Sequence, residues 1–171
     1  MNWKFCHLCG GELESIGSFA GKCTKCGQRI FKSQVTASDA AILNTKNQLL
    51  LVVRAKEPSK GKLDFPGGFV DHDESLEQAV LRELHEELDI IPSDIESMEY
   101  LGSGIDHYPW DHDVTFVTAA TFEIRLHLHH PLHSGDDAAS YRWMNLQDIN
   151  PDDLLSRAQA ARVAELIKKY L

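Results

Sequence analysis

GGFVDHDESLEQAVLRELHEELDI, residues 67–90, is the stretch from which the rest of this chain is read. A glycine pair leads into a segment where Leu76, Val80, Leu84 and Leu88 recur at helical spacing, with Leu81 beside them. The same segment carries an unusual load of acid. Glu83, Glu86 and Glu87 fall at i, i+3 and i+4 and share one face, and Glu74 precedes them. Like charges at such spacings weaken a helix by about 0.2–0.5 kcal/mol per pair. Arg82 offsets part of this repulsion, and His85 offsets little at neutral pH. A bound divalent cation would offset the rest, because Mg²⁺ takes carboxylate oxygens and completes its octahedron with waters and substrate phosphates. The competing reading is a solvated acidic face. Against it, Glu83 and Glu87 project from the edge of the apolar stripe and are expected to be partly covered.

Gly68, five residues, Glu74, seven residues, then Arg82-Glu83-Leu84-His85-Glu86-Glu87 and Ile90 resembles the Nudix box, G-x5-E-x7-R-E-U-x-E-E-x-G-U with U aliphatic. One position departs: Asp89 stands where the family has glycine. That glycine would supply a left-handed helix cap, a conformation Asp adopts more readily than most residues. The resemblance implies hydrolysis of a nucleoside diphosphate linked to another group, with Mg²⁺ or Mn²⁺. It implies Glu83, Glu86 and Glu87 as metal ligands, the Gly68 carbonyl as a further one, and Arg82 and Glu74 as the residues that hold them in place. A pyrophosphate repels a nucleophile and builds charge on its leaving oxygen. Metal ions neutralise that charge, orient the attacking water and lower its pKa. Which carboxylate takes the water's proton stays open. Glu83 is one candidate; Asp136 and Asp137 are others, although a solvated loop is the simpler reading of those two.

The chain has 171 residues, room for one full domain and a small appendage, and its 26 acidic and 17 basic residues give a net charge of −9. That sign disfavours a dedicated duplex nucleic-acid binder. No apolar run approaches the ~18 residues of a membrane span. The start, MNWKFCHLCGG, lacks the apolar core of a signal peptide. The expected location is the cytoplasm, and the cysteines agree, because all four belong to one metal-type pattern.

That pattern lies in residues 1–33. Cys6-His7-Leu8-Cys9-Gly10 and Cys23-Thr24-Lys25-Cys26-Gly27 are two C-x2-C-G knuckles, which place Cys6, Cys9, Cys23 and Cys26 around one tetrahedral Zn²⁺. A segment this short cannot bury a core of its own, so the structural metal should stabilise it. His7 reads as a loop residue. Lys4, Lys22, Lys25, Arg29 and Lys32 against Glu12 and Glu14 make this ribbon locally basic. A nucleic-acid contact is conceivable there; a solvated face is the simpler reading.

Residues 34–171 form the larger unit. Ser33 to Asp39 reads as a linker turning into the first strand. Ala40 to Asn44 and Leu49 to Val53 read as a hairpin around Asn44-Thr45-Lys46-Asn47. The basic loop from Arg54 to Lys62 could steer an anionic substrate or be a mobile surface loop; Arg54, which ends a strand, is the substrate-binding candidate. Strands are expected at Met98–Leu101 and Val114–Ile124, with a polar loop between them carrying Tyr108-Pro109-Trp110. Tyr108 and Trp110 are candidates for base stacking, worth ~1–3 kcal/mol per base, the alternative being an apolar plug. The alternating histidines from His127 to His133 leave a metal role open. Tyr141 to Met144 resembles the late strand of Nudix domains. Asn150-Pro151 is a helix-start signal, and Ser156 to Tyr170 reads as an amphipathic helix burying Val163, Leu166, Ile167 and Tyr170.

A zinc ribbon followed by a Nudix domain resembles the NADH pyrophosphatase branch. That branch carries S-Q-P-W-P-F-P-x-S where this chain has GSGIDHYPWDHDV, so one Pro-Trp survives. The expectation is therefore an α/β protein, an α/β/α sandwich around a mixed sheet preceded by a small zinc ribbon. Its expected activity is Mg²⁺- or Mn²⁺-dependent hydrolysis of ADP-ribose, NADH or a similar small nucleotide, releasing a nucleoside monophosphate. The alternative is a non-cleaving nucleotide sensor, or an RNA 5′-end protein using the basic ribbon. The resemblance also allows a homodimer; no membrane partner is expected.

Overall fold

Gly10 and Gly27 adopt φ of +68° and +76°, the left-handed backbone that ends each cysteine knuckle and that glycine takes without strain. This computed structural model describes residues 4–31, 33–110, 113–127, 131–132 and 138–171; the side chains of 108–110, 113–115 and 138–139 lie outside the described residues. The chain divides into two compact units, Met1–Gln34 and Val35–Leu171. In the first, β1 (Leu13–Ile16), β2 (Ala20–Cys23) and β3 (Arg29–Phe31) form an antiparallel sheet in chain order. Its buried centre is Cys6, Cys23 and Ile30, with Cys9 and Leu13 packed against them. So small an apolar centre cannot offset the entropy of ordering the unit, which points to the cysteines as its fastening.

The second unit comprises β4 (Val35–Leu43), β5 (Gln48–Arg54), β6 (Leu63–Asp64), β7 (Gly67–Phe69), α1 (Leu76–Leu88), β8 (Ile95–Trp110), β9 (Asp113–Leu126), β10 (Ala138–Asn145) and α2 (Arg157–Tyr170). The sheet runs β10-β5-β4-β9-β8, with β6 on β5 and β7 on β4. β4 and β9 are parallel from Val35↔Val117 to Leu43↔Arg125, and the other pairings are antiparallel, so the sheet is mixed. The continuous apolar runs in β4 and β5 are what a strand covered on both faces requires. Successive side chains go to opposite faces. Ala40, Ile42, Leu50 and Val52 meet Val80, Leu84 and Leu88 of α1. Ala41, Leu43, Leu49 and Leu51 meet Val163 and Leu166 of α2. The α/β/α sandwich follows from that alternation.

Helix α1 is well closed at both ends. Ser75 Oγ accepts from Gln78 N at 3.2 Å, and Gln78 Oε1 accepts from Ser75 N at 2.8 Å, a reciprocal capping box. Asp89 ends the helix at φ 58°, ψ 29°, the left-handed conformation that the family's glycine would take. Ile90 N–H then reaches back to Leu84 O at 3.2 Å, and Ile90 is buried.

Three segments differ from expectation. Val35 to Asp39, read as part of a linker turning into the first strand, is strand throughout. Ser38 and Asp39 are buried polar residues there, and Ser38 Oγ donates to Leu76 O at 2.8 Å, so their polarity hid the strand. Gly102 to Trp110, read as loop, continues β8 along β9 to Trp110↔Asp113. Gly102 and Gly104 mark a close approach, not a turn. A Cβ on either would collide with Arg162 or Ala158 of α2. Pro109 is tolerated because β8 is an edge strand. Tyr108 and Trp110 therefore stand on a strand, and their side chains lie outside the described residues. Asn150-Pro151 opens only a 3₁₀ turn, Pro151–Asp153, while Ser156 caps α2 by accepting from Gln159 N at 3.2 Å. Of the histidine run, His127 N–H donates to Asp94 O at 2.8 Å beyond β9. His129, His130, His133, Asp136 and Asp137 lie outside the described residues.

Replacing Asp89 by glycine should raise the unfolding free energy by about 0.5–1 kcal/mol. This is the left-handed strain relieved minus the extra freedom glycine has when unfolded. Urea denaturation of the two proteins measures it directly.

Candidate metal and catalytic site

Arg82 organises the acidic face of α1. Its Nε and Nη2 donate to the two oxygens of Glu74 at 2.7 and 3.0 Å, a bidentate pair. Nη1 donates to Glu83 Oε1 at 2.8 Å and more weakly to Glu86 Oε2 at 3.4 Å, and Nη2 also reaches Phe69 O at 3.0 Å. One guanidinium thus ties α1 to the loop before it and to β7. The Glu83 side chain is 16% exposed and that of Glu86 57%, so the face is graded from covered to open. Arg82, together with the Asp71 N–H, lowers the Glu74 pKa. Burial raises that of Glu83, against the pull of Arg82.

The glycine pair brings β7 against these acids. Gly67 has φ +148°, and a Cβ there would lie 2.6 Å from Asp39 Cα. Its N–H donates to Glu87 Oε2 at 3.1 Å. A Cβ on Gly68 would collide with the carboxylate of Glu83. Glu83 and Glu87 therefore lie on the backbone of the glycine turn, with Glu86 open beside them. This set of hard oxygen donors, in a cradle that any side chain at residue 68 would fill, suits Mg²⁺ or Mn²⁺.

Next to the glycine turn is a cavity of about 190 Å³ lined by Asp39, Arg54, Asp64, Phe65, Asp106 and Gln159, among others. Arg54, expected to meet substrate, is held in its wall: Nη1 donates to Asp64 Oδ2 at 2.9 Å and Nε to Pro58 O at 3.1 Å. Gln159 Nε2 donates to the other Asp64 oxygen at 2.6 Å. Burial pushes Asp39 up to about 7; hydrogen bonds from Thr121 and Gln159 oppose this, and the charges of Asp64 and Asp106 add to it. Asp39, Asp64 and Gln159 were not singled out from the sequence. The available signal was an acidic residue directly preceding an apolar run.

In the N-terminal unit the four cysteine sulfurs lie within 4.8 Å of one another. Cys6 and Cys26 are 3.8 Å apart and Cys9 and Cys23 3.5 Å. The edge of a tetrahedron with Zn–S bonds of ~2.3 Å is about 3.8 Å, so the sulfurs lie close enough together to hold one zinc ion. All four are free thiols. The Cys26 N–H pulls Cys23 down to about 6. Although the Gln28 N–H favours its thiolate, Cys26 is pushed up to about 12 by the Cys9 and Cys23 sulfurs. Four thiolates this close need a cation among them. Gly11 completes the cage, since a Cβ there would stand 2.9 Å from Cys23 Sγ.

The sequence model of the NUDIX domain matches residues 33–166. An "ADP-ribose pyrophosphatase" of Methanocaldococcus jannaschii is 31% identical over 154 residues, 85% of this chain and 87% of that protein. A "NAD-capped RNA hydrolase NudC" of Pseudomonas aeruginosa is 25% identical over 98% of this chain, which spans only 55% of that protein. The crystal structure of a NUDIX hydrolase from Nitrosomonas europaea superposes with a TM-score of 0.69 at 24% identity, covering 98% of this chain and 93% of that one. Among the described residues, no helix is long and apolar enough to cross a membrane.

The Asp39 carboxyl has a pKa near 3.8 when unfolded and about 7 in the fold. Its folded value is raised, so its stabilising contribution is fully present below pH ~4 and is lost as pH rises to ~7, above which it changes no further. At about 1.4 kcal/mol per pKa unit the effect is at most a few kcal/mol. Thermal unfolding at successive pH values should show Asp39→Asn gaining on the parent protein between pH 5 and 8.

Proposed function

The chain belongs to the Nudix family of enzymes acting on pyrophosphate bonds, and we propose that it hydrolyses the pyrophosphate of ADP-ribose, NADH or a similar nucleotide and releases a nucleoside monophosphate. The observation that carries this reading is the Arg82 clamp, which sets Glu83 beside Gly68 with Glu86 next to it, while Glu87 takes the Gly67 N–H. ADP-ribose is the preferred substrate. The relative bearing that name is matched over most of its own length, whereas the RNA hydrolase is matched over about half.

Glu83, Glu86 and Glu87, with the Gly68 carbonyl, would hold Mg²⁺ or Mn²⁺. When bound, such an ion neutralises phosphate charge and supplies a more acidic water. Arg82 and Glu74 fix the carboxylates in advance, so little reorganisation is needed when substrate arrives. The side-chain-free glycine turn lets a phosphate approach the backbone. Glu83, already largely buried, is the base candidate among the described residues. Cys6, Cys9, Cys23 and Cys26 would hold a structural Zn²⁺. Free thiols suit the cytoplasm, where we place the protein. Tyr108 and Trp110 are retained as stacking candidates, and a homodimer is the assembly to test first.

With Mg²⁺ and ADP-ribose, the purified chain should yield AMP. Glu86→Gln with Glu87→Gln should reduce turnover by more than about 100-fold with an unchanged circular dichroism spectrum. That exceeds the roughly 10–100-fold loss typical of residues that only orient ligands, the range expected for Arg82→Lys. Undiminished activity in the double variant would contradict the metal assignment. Metal analysis should find one zinc per chain, lost in Cys9→Ser, with no loss of the magnesium-dependent rate constant at saturating Mg²⁺.

A further inference from the structure

The three-stranded sheet of the N-terminal unit has two unlike faces. Successive side chains alternate between them, and Gly21, Cys23 and Ile30 are buried on the side of the cysteine cluster. The opposite face is open. Strand register sorts its side chains into two rows across the sheet, Glu14↔Lys22↔Arg29 and Ile16↔Ala20↔Phe31. The rows lie two residues apart along each strand, about 7 Å. One row is charged and the other apolar.

Both rows are out of keeping with a plain solvated surface. Phe31 is 58% exposed and Ile16 37%, and Phe19, in the turn that leads into β2, is 57% exposed. Lys22 and Arg29 stand opposite one another on β2 and β3, where like charges destabilise a sheet. Among the described residues neither has an ion-pair partner. The first 34 residues hold five of the chain's 17 basic side chains and only two of its 26 acidic ones, so this positive face belongs to an acidic protein. The cationic row lacks an anion, and the apolar row lacks a flat surface to cover it.

A single strand of nucleic acid supplies both at once. Its bases stack on aromatic rings while its phosphates meet cations. A protein partner that covered the apolar row would have to bury Lys22 and Arg29 as well, and a duplex keeps the faces of its bases hidden. We propose that the open face of the ribbon sheet binds single-stranded nucleic acid, with bases on Phe31 and Phe19 and phosphates on Lys22 and Arg29. Glu14 ends the charged row on β1, so the phosphates follow the β2–β3 side. This surface uses none of the residues assigned to hydrolysis and does not depend on that assignment. It grips an internal stretch of strand and, working through stacking and charge, is tolerant of sequence.

The test is fluorescence anisotropy of the full chain, with zinc present and magnesium absent. The probes are 3′-labelled oligo-U RNA and oligo-dT of about 12 nucleotides with 5′-hydroxyl ends, and a duplex of the same length. At least one single strand should bind, with the duplex at least about tenfold weaker. The stronger of RNA and DNA identifies the strand this face meets. Phe31→Ala and Phe19→Ala should each weaken binding about fivefold or more. The logarithm of the binding constant should fall with the logarithm of salt concentration at a slope near −1.4, the value for about two phosphates, and Lys22→Gln with Arg29→Gln should flatten it. Equal or tighter binding of the duplex would overturn the proposal, as would no binding at protein concentrations up to about 100 μM, the weak limit of non-specific contacts. Self-association that Phe31→Ala abolishes, in a chain that ignores both oligomers, would overturn it in favour of a second copy on this face. Phe31 and Phe19 are exposed, so their removal opens no cavity; if a variant nonetheless loses zinc, the parent's salt slope and its preference for single strands decide.

Discussion

The guanidinium of Arg82 joins three parts of the molecule that the chain keeps apart. It meets Glu74 on the loop before α1, Glu83 and Glu86 on the helix, and the Phe69 carbonyl on β7. A planar fork with five donors can satisfy several acceptors at fixed angles, which an ammonium cannot. Without it the acids of α1 would repel one another and the glycine turn would have no fixed relation to the helix. The sandwich supplies the platform: β4 and β5, covered on both faces, hold β7 and α1 where the clamp can close. The site therefore depends less on any one carboxylate than on a cation that holds the carboxylates before a metal ion does.

Much of this was legible in the chain because the relevant signals are local. The apolar stripe and the spacing of Glu83, Glu86 and Glu87 lie within one helix, and the cysteine knuckles repeat within a few residues. Asp89 could be assigned to a left-handed cap from its place in the pattern alone. The illegible parts arose where a distant element changed the meaning of a residue. Gly102 and Gly104 resembled turn residues until α2 was seen to pack onto them. Ser38 and Asp39 resembled linker because their partners, Leu76 and Gln159, come far later in the chain. The pairing of Arg54 with Asp64 was likewise hidden, because Asp64 lies across a hairpin. In each case the deciding contact was tertiary, and sequence periodicity carries no trace of it.

The two units rest on different physics. Residues 35–171 bury two apolar layers, so their stability is spread over many side chains. The N-terminal ribbon concentrates its order at four sulfurs and the two left-handed glycines that close the cysteine knuckles. The first kind of unit loses stability gradually as side chains are trimmed. The second is all-or-none with respect to its cage.

The parallel register of β4 with β9 has a consequence for how the protein is made. Val35 cannot find Val117 until the chain between them, including the glycine turn and all of α1, has left the ribosome. Contacts so remote in sequence slow folding, because loop closure comes before the gain. During synthesis the acidic helix therefore waits, formed or half-formed, for a strand not yet translated. An interruption before residue 117 would leave the apolar edge of β4 uncovered and prone to aggregation.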